Sequence, residues 1–113
     1  MMGDNIMKLE IKTRDYTCKE YYCDITRELD ELANLSSEWF KHYILVCKNS
    51  NTNTGFDFII RVPGGTLGAI LLDENMVITK IIIDTNYVVK SYPKDVGKII
   101  NDKYVGTKIE LEF

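Results

Sequence analysis

His42, the single histidine, is the first residue whose type offers chemistry, since an imidazole titrates near neutrality and can act as general base or metal ligand. It sits between Lys41 and Tyr43 in an apolar stretch, with no acid close in sequence to orient its ring. That context reads as a structural histidine. A catalytic one would have to be exposed in a cleft, and burial against backbone would remove that role. Cys18, Cys23 and Cys47 complete a paper set of four soft ligands. Zinc requires such groups to converge at about 2.0–2.3 Å. On a helix Cys18 and Cys23 point about 140° apart, and on a strand His42 and Cys47 face opposite sides. The spacing argues against a metal, and no cofactor motif or nucleophile turn appears. An odd cysteine count at low density reads as free thiols used as small hydrophobes in a cytosolic protein.

The run Gly64-Gly65-Thr66-Leu67-Gly68 has the look of a phosphate cradle. Such a loop needs a helix N-terminus directly after it, whose free amides hold the anion. Here Ala69-Ile70-Leu71-Leu72 follows, which is strand-like, so Pro63-Gly64 reads as a hairpin turn and Gly68 as a bulge or close approach.

The carboxylates are the unusual constellation. Residues 15–38 hold seven acids and two bases, a local charge of −5 within a total of −3. Glu20, Asp24, Glu28 and Glu31 are spaced four, four and three apart, so on a helix they share one side. Tyr16, Tyr21 and Tyr22 flank them, and aromatic anchors beside charge are common at protein interfaces. The expected partner-binding set is Glu20, Asp24, Glu28, Glu31 and Tyr21, set against the plainer reading of a solvated helix face.

The elements that position these residues follow from periodicity. Cys18, Tyr21, Tyr22, Ile25, Leu29, Leu32 and Leu35 recur at three- and four-residue steps, which predicts one long amphipathic helix over about 18–35. Thr17 and Glu20 would form its capping box, and Asn34 with Ser36-Ser37 would end it. Alternation predicts strands at 8–12, 56–62 and 109–113, aromatic and β-branched content a largely buried one at 39–47, and the turns at 63–66 and 73–75 bound two more at 67–72 and 76–83, so that short turns join the middle four into an antiparallel meander. Residues 85–92 fit either strand or helix, and Pro93 opens a short helix to about 103. The fold class is therefore α+β: one domain, residues 1–113, with a mainly antiparallel sheet of five or six strands. One sheet face should be partly polar and open. Met7 resembles a second start, which would leave 1–6 as a frayed leader.

Composition narrows the partners. A mildly acidic chain lacks the clustered Lys and Arg of nucleic-acid binding, and no apolar run approaches the roughly 20 residues that span a bilayer. Fourteen Ile, 11 Lys and 8 Asn against 2 Ala and 3 Arg point to an AT-rich coding source such as a low-GC bacterium. In length, acidity and lack of a signal peptide, the chain resembles small cytosolic bacterial toxin-immunity proteins. That resemblance implies a non-enzyme that blocks a basic toxin domain, often a nuclease. Glu20, Asp24, Glu28 and Glu31 would stand in for nucleic-acid phosphates or plug the basic cleft. Two other classes remain open: an interaction module of a phage or mobile element that self-associates through an edge strand, and a small enzyme built on His42.

Overall fold

The computed structural model describes residues 5–14, 18–34, 41–84 and 92–112. Its elements are β1 (Ile6–Arg14), β2 (Cys18–Tyr22), α1 (Asp24–Leu32), β3 (Tyr43–Lys48), β4 (Phe56–Val62), β5 (Gly65–Leu72), β6 (Ile78–Ile83), α2 (Val96–Tyr104) and β7 (Lys108–Leu111). The α+β class and the central meander are present, but the sheet has seven strands rather than five or six, in the order β6-β5-β4-β3-β2-β1-β7. All neighbours are antiparallel except β1 and β7. The expected strand start at 39–40, Tyr16 and the capping Thr17, Leu35 with Ser36-Ser37, and most of the ambiguous stretch 85–92 lie outside the described residues.

The long helix over 18–35 is corrected. Its first third is β2, hydrogen-bonded between β1 and β3, with Tyr21 buried and Cys18, Glu20 and Tyr22 on the other face. Five residues are too few to separate a period of 2 from one of 3.6, and Tyr and Cys sit well on a pleated surface. Pairing on both sides decided the matter. The helix starts instead after Cys23, where Thr26 Oγ1 accepts the Cys23 amide at 2.9 Å and donates to its carbonyl at 2.8 Å. That replaces the box expected from Thr17 and Glu20. Asn34 does end α1, at φ 53°, the left-handed conformation that asparagine tolerates beyond a helix.

The sheet curls until its ends meet. Ile78 donates to the Thr107 carbonyl, Gly106 to the Ile78 carbonyl and Ile109 to the Met76 carbonyl, each at 2.8 Å. Further along β6, where β7 no longer reaches, Asn101 of α2 substitutes for a strand. Its Oδ1 accepts the Ile81 amide at 2.9 Å and its Nδ2 donates to the Ile81 carbonyl at 2.7 Å. A side-chain amide carries the same donor and acceptor pair as a peptide, so it satisfies an otherwise open edge. At the start of the sheet the backbone carbonyl of Asn5 accepts the Lys108 amide at 2.9 Å, so β1 is paired with β7 from Ile6 onward.

Inside the curl lies one core. Leu9, Tyr21, Ile44, Ile60, Leu67 and Ile81 point inward from the strands, and Ile25, Leu29, Val96 and Ile100 meet them from the helices. The outer face divides in two. On β7 and β1 it carries Lys8, Glu10, Lys12, Lys108 and Glu110; across β3 to β6 a row of Leu45, Ile59, Ala69 and Ile82 lies in register. The glycines behave as their positions require. Gly64 holds φ 92° after Pro63 in the β4–β5 turn, and a Cβ on Gly68 would meet the Ile82 carbonyl oxygen at 1.8 Å. Backbone of β6 occupies the space a side chain would need.

Candidate functional site

The acids that the sequence aligns on one helix are distributed over two elements. Glu20 is on β2, and Lys12 of β1 pairs with it at 3.3 Å. Tyr21, expected beside it at the surface, is 1% exposed in the core and is not available to a partner. Asp24, Glu28 and Glu31 do share the outer side of α1, at steps of four and three. Asp24 pairs with Arg27. Glu28 accepts from Lys103 Nζ at 2.5 Å and from the Tyr104 hydroxyl at 2.8 Å. Lys103 also lies 5.7 Å from the centre of the Tyr104 ring. Burial, then the hydrogen bond to Glu28, pushes the Tyr104 phenol up; the same carboxylate raises Lys103. Glu28 is therefore a strut between α1 and α2, whereas Asp24 and Glu31 face solvent.

His42 has the orienting acid that its sequence neighbourhood lacks. Asp30 Oδ1 lies 2.6 Å from Nδ1 and also accepts the His42 backbone amide at 2.7 Å. Nε2 meets the hydroxyl of Tyr92, whose ring stands edge-on to the imidazole at 5.7 Å. His42 is 0% exposed. Burial, then the nearby Asp30 charge, pushes the Tyr92 phenol up. An acid–histidine–tyrosine chain can relay a proton, but its central ring is sealed off from solvent. A signal for Asp30 was present: Thr26, Asp30 and Ala33 are four and three apart, so Asp30 lies along a buried line of the helix. A carboxylate in such a position requires a partner.

The cysteines also divide. Cys18 and Cys47 sit directly opposite on β2 and β3, with Cα atoms 4.4 Å apart, and form a disulfide on the outer face. This corrects the reading of three free thiols: sequence distance says nothing about strand register. Cys23 alone is free, and burial pushes its thiol up to about 11, so it is a poor nucleophile. Among the described residues, no three His, Cys, Asp or Glu side chains converge as a metal-holding group. Gly64 and Gly65 lead into β5 and not into a helix, so no phosphate cradle forms there. Among the described residues, no helix is long and apolar enough to cross a membrane.

Comparison with family models, curated proteins and solved structures yields no match to this chain. The functional reading therefore rests on the side chains themselves.

Proposed function

We propose that this chain is a non-catalytic binding protein, in its concrete form an immunity protein that occupies the basic cleft of a bacterial toxin domain. The observation that carries the reading is the composition of α1. Its nine residues hold Asp24, Glu28, Asp30 and Glu31 against Arg27 alone. Asp30 and Glu31 stand in the last turn, where the helix dipole is negative and α1 itself has no basic residue, Lys103 of α2 being the nearby cation. Asp30 is used inside, by His42. Glu31 has no such use, and with Asp24 it offers a negative edge that steers a cationic partner.

The sealed histidine and the inert Cys23 support the non-catalytic form. Edge-strand self-association finds less support, because β6 is engaged by β7 at one end and by Asn101 further along. Cytoplasmic action belongs to the same proposal; the Cys18–Cys47 disulfide joins β2 and β3 and not α1, so its redox state leaves the acids of α1 as they are.

The test is co-purification with the product of the neighbouring upstream gene, using the native chain and the pair Asp24→Lys and Glu31→Lys. These positions are preferable to Glu28, whose contacts hold α2. Capture by the native chain, lost in the double variant with folding retained, supports the proposal. Equal capture by both would reduce the acidic edge to a solvated helix face.

A further inference from the structure

The helices meet the sheet on its inner side only, through Ile25, Leu29, Val96 and Ile100. On the outer side the row Leu45, Ile59, Ala69 and Ile82 crosses from β3 to β6 in register, with Leu71 of β5 beside it. Leu71 and Ile82 are 43% and 44% exposed. A contiguous apolar stretch of this kind, rimmed by charge, marks an interaction surface.

The charges on either side of the row have opposite signs. On β4, Asp57 stands two residues before Ile59 and Arg61 two after it, so all three share the outer face. On β6 the order is reversed, with Lys80 two residues before Ile82 and Asp84 two after it, both exposed. Asp57 accepts from Asn49 Nδ2 at 2.8 Å, and Arg61 Nε donates to the Gly65 carbonyl at 3.0 Å. These contacts hold the two side chains at opposite ends of the strand. Among the described residues neither Asp57 nor Arg61 is in an ion pair, so each keeps the capacity to meet an opposite charge from outside.

A half-turn about the line of the apolar row lays each strand antiparallel on its own copy. Ile59 then meets Ile59, Asp57 meets Arg61 and Arg61 meets Asp57, while Lys80 and Asp84 are exchanged in the same way at the rim. A face with opposite charges on either side of an axis is complementary to itself, which is the requirement of a two-fold contact. A foreign partner would impose no such relation between the two flanks. Ala69, next to Ile59 in the row, is small enough to let two sheets stack about 10 Å apart.

We propose that the outer face of β4 and β5 binds a second copy of this chain, in a two-fold dimer held by Ile59 and by two Asp57–Arg61 pairs. The sheet curves away on both sides of these strands, so the contact is small and the dimer is a weak one. It uses a sheet face and no open edge. It also leaves the acids of α1, on the other side of the sheet, exposed in both copies, so either site can fail without the other.

The experiment is sedimentation equilibrium of the full chain at concentrations up to about 1 mM, where small interfaces associate. The mass is expected to rise from 13.1 kDa toward twice that value and to stop there. Asp57→Arg sets like charges against the second copy's Arg61, and Arg61→Asp sets acid against acid. Each should weaken the dimer at least about tenfold. Mixing the two variants brings opposite charges together at both ends of the axis and should restore the dimer, a rescue that misfolded chains could not show. A mass that stays at one chain, or grows past two, overturns the proposal. So does a dimer that both variants leave unchanged, or a mixture of folded variants that stays monomeric. Should either variant unfold, dilution of the unaltered chain followed by amide NMR carries the test: shifts at Ile59, Arg61 and Ala69 support the dimer, and their absence overturns it.

Discussion

The two sides of α1 carry the same chemistry to opposite ends. On the inner side Asp30 is locked to His42, which meets Tyr92, so three polar groups from distant parts of the chain satisfy one another in the interior. On the outer side Asp24 and Glu31 face water, with Glu28 between the two conditions as a strut to α2. Residue type alone would count all four as acids of one cluster. The difference teaches that burial, not charge, separates a carboxylate that builds the fold from one that is free to meet a partner.

The sharpest way to break the comparison is His42→Ala. It empties a buried site and strands Asp30 and the Tyr92 hydroxyl, so unfolding free energy should fall by about 3 kcal/mol. Urea denaturation reads this directly, and a loss below about 1 kcal/mol would mean that the chain is ornamental.

Next comes alkaline pH. Cys23, Tyr92 and Tyr104 are all raised in the folded state, so the native protein keeps protons that the unfolded chain releases. Their contribution is complete below the unfolded values of roughly 9 to 10 and is lost as pH rises above them. Denaturation midpoints should therefore fall above about pH 9. Tyr104→Phe should flatten part of that decline, and an identical pH profile in the variant would remove the phenol from the account.

Glu28→Gln is the intermediate case. A neutral amide still accepts the Tyr104 hydroxyl but loses the charge facing Lys103, a pair largely open to solvent on the lysine side. A small loss of stability is expected, read as a lower urea midpoint and shrinking with added salt. The smallest effect belongs to Asp24→Lys with Glu31→Lys, expected to change stability by no more than about 0.5 kcal/mol. A large loss there would move the outer acids into the structural class and erase the contrast.

Much of the fold was legible. The strands from 56 to 72 follow from alternation, and their hairpin from Pro63 and Gly64, because both signals are local. Gly68 could be read as a close approach, although only β6 supplies the carbonyl it approaches. Cys18–Tyr22 was misread because its apolar positions satisfy two periods, and the choice was made by neighbours far along the chain. The same holds for the candidate site. Glu31 and Asp24 could be placed on a helix face by counting, but Tyr21 and Glu20 could not, since their element had been mistaken.

The sequence by itself determined the α+β class, the meander, the turns and the concentration of acid in one segment. These depend on neighbours within a few residues, whose spacing is written directly in the chain. Only the tertiary structure decided that Asp30 faces His42, that Cys18 meets Cys47 and that Asn101 closes the edge of β6. Each of those contacts joins residues 12 or more positions apart. Their geometry follows from strand register and from how far the sheet curls, which the packing of the whole core sets at once.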